Sequence, residues 1–195
     1  MEPETNKEKF IRIYQENIKR DGSDKLLEWL CGCDFFTAPA STKFHGNYEG
    51  GLCDHSALVY EKLLDLKNKY KDNFEFSDET IAIVALLHDV CKTQFYKKSF
   101  RNVKDDDTGK WSKVACYVVE ESVPLGHGEK SVILIQSKMK LTLEEICAIR
   151  FHMSSWDASV IGGDKSINKA SEMFPLVTLT QIADMEATLF EKRIE

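Results

Sequence analysis

Ile81-Ala82-Ile83-Val84-Ala85-Leu86-Leu87-His88-Asp89-Val90-Cys91-Lys92 is the stretch on which the fold turns. An unbroken apolar run ends in a histidine and an aspartate side by side. A carboxylate buried among such neighbours without a partner costs several kcal/mol, so the pair needs a counter-charge. A metal ion is the economical answer. Adjacent residues on a helix point about 100° apart, so one ion serves both only from the edge between them. Its remaining ligands must come from other segments.

Working outward, the chain has 5 histidines, and each of the other four sits in a patterned context. These are Phe44-His45-Gly46, Gly50-Gly51-Leu52-Cys53-Asp54-His55-Ser56, Gly126-His127-Gly128 and Arg150-Phe151-His152-Met153. A late aspartate, Asp184, lies in Leu179-Thr180-Gln181-Ile182-Ala183-Asp184-Met185, again too apolar for an unpaired carboxylate.

The order His55, His88-Asp89, His127, His152, Asp184 resembles the HD-domain superfamily of metal-dependent phosphohydrolases, an all-helical family named for its adjacent His-Asp pair. The resemblance spans about His45 to Asp184 and rests on Gly-Gly-Leu-x-x-His-Ser, Leu-Leu-His-Asp-x-x-Lys, Gly-His and Ala-Asp in sequence. It is nearest to HD domains with extra histidines for a second ion, including those attached to certain bacterial 3′-to-5′ exoribonucleases. The resemblance implies His55, His88, Asp89 and Asp184 as ligands of a first metal. His127 and His152 would hold a second, with Asp89 bridging. It also implies that His88 and Asp89 take part in catalysis and that Lys92 neutralises a phosphate oxygen, as a catalytic and substrate-binding residue. His45 is read either as a substrate-binding residue facing the site or as a hydrogen-bonded loop residue. Met153 follows His152 where some two-metal relatives place a second histidine, and Cys91 stands where relatives often have glycine.

Mixed histidine and carboxylate ligands suit Zn, Fe or Mn better than Mg or Ca. The expected cofactor is one or two such divalent ions. The expected reaction is hydrolysis of a nucleotide or small phosphodiester by a metal-activated water. Three other readings compete: a 3′-to-5′ exonuclease on single-stranded nucleic acid, a di-iron HD oxygenase, and a non-catalytic module that binds a nucleotide or a partner.

The 195 residues carry a net charge of −6, with 43% hydrophobic and 30% charged residues. That is ordinary for a soluble protein and favours one HD domain over 1–195. The acidic balance argues against avid duplex binding, which draws on many phosphate contacts, so a small-molecule phosphate ester is the expected partner. No long apolar run suggests a membrane, and the start Met1-Glu2-Pro3-Glu4-Thr5 is unlike a signal peptide. A cytoplasmic setting is expected, with the 6 cysteines as thiols.

Helical spacing marks a first helix from Asn6 to Lys19 with Phe10, Ile11, Tyr14 and Ile18 inward, stopped by Gly22, with Ser23 capping the next. Gly50-Gly51 opens a helix to about Asn68 or Tyr70, either to let the backbone approach a ligand or as a plain turn. Ser77-Asp78-Glu79 caps the helix that ends in the His-Asp pair. Aromatic and β-branched runs at about 94–121 flank a polar turn, which predicts an inserted β-hairpin. A helix then opens after Pro124-Leu125-Gly126. Thr142-Leu143-Glu144-Glu145 is a capping box for another, with Ile149 and His152 three apart on its face. Ser154 to Lys169 reads as irregular, and Pro175 suits the first turn of a final helix. The fold class is all-α, an HD helical bundle with a small hairpin.

Overall fold

The computed structural model describes residues 4–190; the start Met1-Glu2-Pro3 discussed above lies outside them. The described chain is helical apart from one hairpin. Its helices are α1 (Asn6–Asn17), α2 (Ser23–Gly32), α3 (Gly51–Lys69), α4 (Asp78–Leu87), α5 (His127–Gln136), α6 (Leu143–Arg150), α7 (Ala158–Ile161), α8 (Ser166–Met173) and α9 (Pro175–Phe190). Short 3-10 turns occupy Val90–Lys92 and Ser154–Trp156.

The centre of the bundle is α4. All seven residues from Ile81 to Leu87 are fully buried, so this helix is apolar on every side and must be enclosed. Long α3 packs along both α4 and α9, and α1 and α6 close the remaining sides. Capping follows the sequence at several ends. Thr5 and Thr142 form capping boxes with Glu8 and Glu145, Ser77 accepts from the Thr80 amide, and Pro175 opens α9.

Two glycine assignments change. The stop of α1 is Ile18, and Gly22 instead precedes α2 with φ of 89°, which makes Ser23 the first helical residue. A Cβ at Gly22 would lie 2.0 Å from the Lys138 carbonyl oxygen, so both the conformation and the close approach demand glycine. At Gly51 a Cβ would meet the Gly46 carbonyl oxygen at 2.0 Å. The closeness there serves packing of the 37–51 loop on itself, as in the Leu52 N–H donating to the Ala38 carbonyl, and no ligand is needed to explain it.

The inward face of α1 consists of Phe10, Ile13 and Tyr14, with Ile18 just beyond its end; Ile11 is only half-buried. The hairpin pairs β1 (Tyr96–Lys104) with β2 (Trp111–Val119), antiparallel from Tyr96 opposite Val119 to Lys104 opposite Trp111. The Asp105 carboxylate accepts from the Thr108 and Asp107 amides at its tip, an ordinary polar turn. The segment expected to be irregular contains α7 and α8. Asp157 caps α7 by accepting from the Ser159 and Val160 amides, and Asp164 accepts from the Ser166 amide at the start of α8. A side-chain cap starts α7, whereas α8 has no capping side chain at its N-cap and is held by Ala170 and Ile167 packing with Phe151, Phe174 and Val177.

A buried network also escaped the sequence reading. The Arg20 guanidinium donates to both Glu145 oxygens at 2.6 and 2.9 Å and to Glu79 at 3.3 Å, tying the α1–α2 turn to α4 and α6. Glu145 is fully buried.

Candidate metal centre

Helix ends position the histidines of this centre. His88 keeps helical backbone at the end of α4 (φ −56°, ψ −32°), whereas Asp89 has left it (φ −108°, ψ 17°). The pair is therefore not two helical neighbours 100° apart. The chain turns at Asp89, and that turn brings its carboxylate to 3.4 Å from His88 Nε2. The ring Nδ1 of His88 lies 2.9 Å from the Ala85 carbonyl, which only accepts. Nδ1 therefore carries the hydrogen, and Nε2 presents a lone pair to the centre.

The same device recurs at the end of α6. That helix stops at Arg150, so His152 lies past its end and not on its face as the spacing suggested. Its Nδ1 is 2.7 Å from the Ile149 carbonyl, again three residues back. In each case an otherwise unpartnered carbonyl of the last turn fixes the imidazole tautomer.

The donors converge. His55 Nε2, from the first turns of α3, is 3.2 Å from His88 Nε2, 3.1 Å from Asp184 Oδ1 and 3.6 Å from Asp89 Oδ2. On the other side of the same carboxylate, Asp89 Oδ1 lies 3.4 Å from His152 Nε2. Two mutually close sets result, His55/His88/Asp184 and His88/Asp89/His152. His55, His88, Asp89 and His152 are all at most 2% exposed.

Three features fit a cation here. Donors 3.1–3.6 Å apart match the separations around an ion bonded at about 2.0–2.2 Å. His152 Nε2 is buried with no hydrogen-bond partner. Third, the carboxylates stay ionised despite their burial, so negative charge is on hand for a cation. Burial pushes Asp89 up, but Lys92 and the neighbouring histidines outweigh it and hold the carboxyl well below its ordinary range. Burial pushes His152 down, yet Asp89 overrides it and raises the imidazole. Asp184 behaves like Asp89, lowered by His55 against its burial.

Lys92 is not a solvated surface lysine. It is 8% exposed, and its Nζ sits 2.7 Å from Asp89 Oδ2. Burial would lower its ammonium, but Asp89 raises it. Tyr96, at the start of β1, comes near this pair; its hydroxyl donates to the Ala40 carbonyl at 3.3 Å, and burial pushes it up to about 12. The sequence offered no signal for Tyr96, because it reads simply as a strand aromatic.

His127 and His45 stand further out. The His127 ring opens α5 and contacts Cys91 Sγ through Nδ1 at 3.4 Å and Phe95 at 5.4 Å between ring centroids, but it joins neither close set. Burial lowers its imidazole. The His45 ring lies 5.0 Å from that of His55, at the loop edge of the centre.

A mostly helical bundle that encloses clustered histidines and carboxylates is the class of helical domain whose side chains can hold a metal ion. The particular family follows from the sequence match: the HD-domain model covers residues 52–189, and the chain belongs to the HD-domain family. That family is typically one of metal-dependent phosphohydrolases. No curated protein and no solved structure matches the chain. Among the described residues, no helix is long and apolar enough to cross a membrane.

Proposed function

We propose that this chain is a metal-dependent phosphohydrolase that cleaves a phosphate ester of a nucleotide or a small phosphodiester. The observation that carries the reading is the position of Asp89, a buried carboxylate whose two oxygens face different histidines while Lys92 is held against one of them. His55, His88, Asp89 and Asp184 would hold one Mn, Fe or Zn ion; Asp89 and His152, with His127, would hold a second. A bound ion lowers the pKa of a coordinated water and stabilises charge on phosphoryl oxygens.

The protein's own groups supply the rest. The backbone carbonyls of Ala85 and Ile149 keep His88 and His152 in the ligating tautomer. Lys92 keeps Asp89 ionised and places a permanent cation beside the centre, where a phosphate oxygen would meet it. The loop that carries His45 borders the centre and takes the substrate. The same proposal treats 1–195 as one HD domain, with the hairpin near 94–121 as an insertion, in a cytoplasmic setting.

The test is a panel of mono-, di-, tri- and cyclic nucleotides incubated with metal-loaded protein, with elemental analysis of untreated material. Release of phosphate or nucleoside is expected; silence across the panel overturns the reading.

A second reading, a 3′-to-5′ exonuclease on single-stranded nucleic acid, is favoured by the hairpin. Its strands carry Lys97, Lys98, Arg101, Lys104 and Lys113, of which Lys97 and Lys98 pair with Glu120 and Glu49, and Phe100 and Trp111 on it are 71% and 69% exposed. Exposed aromatics among cations suit stacked, unpaired bases. Stepwise shortening of a 5′-labelled single strand, with mononucleotides inert, would select it.

A further inference from the structure

We propose that the cavity between the α2–α3 loop and the base of the hairpin is a nucleobase subsite, which takes the amino-bearing base of a nucleotide whose phosphate lies at the metal centre. This rests on the phosphohydrolase reading above and adds the part of the substrate that the centre itself does not hold.

The cavity has a volume of about 190 Å³, and Asp34, Pro39, Glu49, Tyr96, Lys98 and Tyr117 are among its walls. Drug-sized ligands fill pockets of roughly 300–1,000 Å³, so this one has room for a planar ring and not for a whole nucleotide. Sugar and phosphate must then lie outside it. The hairpin register decides which side chains meet the cavity. Lys98 stands opposite Tyr117, and Tyr96 is two residues before Lys98, so all three share one face of the sheet. Both tyrosines are half-buried. With Pro39 they provide apolar walls, and aromatic rings suit a stacked base.

Both walls continue to the metal centre. On the hairpin side, Tyr96 follows Lys92 by four residues and lies close enough to the Lys92–Asp89 pair for both charges to act on its phenol. The other wall belongs to the loop that carries His45. There the Gly50 and Leu52 amides donate to the Thr37 and Ala38 carbonyls, which ties the wall to the start of α3, the helix of His55.

The polar groups select the ring. Glu49 is already engaged by Lys98 at 2.9 Å. Asp34 accepts from the Gln94 amide through Oδ1 at 2.7 Å, which leaves Oδ2 as the acceptor for a ligand. Gln94 holds that contact with left-handed backbone, φ 52°, a strained conformation for a residue with a side chain. A carboxylate accepts from the exocyclic amino group of cytosine, adenine or guanine, and is repelled by the carbonyl that uracil carries where cytosine has its amino group.

The experiment measures KM and kcat of metal-loaded, full-length protein for the cytidine and uridine members of the nucleotide panel above. KM for cytidine nucleotides should be lower by about tenfold or more. Asp34→Asn, which keeps an acceptor for the Gln94 amide, should erase this preference through KM rather than kcat. Tyr117→Leu should raise KM for both bases by about tenfold. Equal KM values in the wild type, or a preference that survives Asp34→Asn, would overturn the subsite while leaving the phosphohydrolase standing. Should Asp34→Asn fail to fold, the wild-type ratio and Tyr117→Leu decide. Cleavage of nothing in the panel would overturn the hydrolase reading, and calorimetric titration with cytidine and uridine, which carry no phosphate, then decides the cavity by itself. Cytidine binding about tenfold tighter than uridine upholds it; equal or absent binding overturns it.

Discussion

Asp89 separates two sides of the centre that are built from different material. On one side, His55 and Asp184 project from within long helices, α3 and α9, which pack along each other. On the other, His152 lies just past a helix end and His127 at the first position of α5 after a loop. The first side is closed, with His55 Nε2 within 3.1–3.6 Å of three donors. The second is an open chain in which His127 joins neither close set. Long helix–helix contacts fix side-chain positions rigidly, whereas residues at helix ends depend on local turns and adapt more readily. In the function proposed above, the first side is the anchor for an ion and the second the more adaptable part of the centre.

The largest effect is expected where the sides meet. Asp89→Asn should cut hydrolysis on the order of 10³-fold and release metal from both sides. It also leaves Lys92 buried without its partner, a loss of roughly 3–5 kcal/mol, visible as a lowered denaturation midpoint. Full activity in this variant would remove the bridge from the account.

Next comes the asymmetry itself. His55→Ala should abolish binding of the first ion and lose activity nearly as severely as Asp89→Asn. His127→Ala should retain the first ion and lose about 10–100-fold in affinity for the second. Elemental analysis beside kinetics checks both, and equal losses would erase the distinction between the sides.

Removal of metal should destabilise the native chain as well as inactivate it. At a concentration 1,000 times Kd, a bound ion contributes about 4.1 kcal/mol. Chelated protein should therefore melt lower, and one equivalent of ion should restore most of the difference if the first side is the anchor. Melting that is indifferent to metal would show that the buried donors are satisfied without it.

The smallest effect lies outside both sides and serves as a control on scaffold stability. Burial pushes Glu145 up, but Arg20, the Thr142 amide and Thr80 outweigh it and hold the carboxyl below its ordinary value of 4.5. A carboxylate depressed in the folded state contributes stability above its unfolded value, and that contribution is lost as pH falls through the folded one. Glu145→Gln should therefore flatten the decline of stability below pH 4.5 without changing metal content at neutral pH. Unchanged acid sensitivity would mean that this network contributes little.

Some of this was legible from residue types alone. The enclosed α4 followed from its unbroken apolar run, the hairpin from two β-rich strands around a polar turn, and the starts of α4 and α6 from their capping residues. Other features were not. Gly22 and Gly51 looked like turn punctuation, yet carbonyls of Lys138 and Gly46 decide them. In this polar stretch α7 depends on the Asp157 cap and α8 on the packing of Ala170 and Ile167 against residues from other segments. Arg20 and Glu145 are 125 positions apart, and no local pattern links them.

The sequence by itself determined which residues must be enclosed and that a buried His-Asp pair needs a cation. Those are consequences of composition and period, which act over a few neighbouring residues. The tertiary structure alone decided that Asp89 turns off the helix, that His88 and His152 share one tautomer-fixing geometry, and that the carbonyls of Ala85 and Ile149 supply it. Such outcomes depend on where each helix stops and which distant carbonyl or side chain meets it, and a shift of one residue at a helix end redirects the side chain by about 100°.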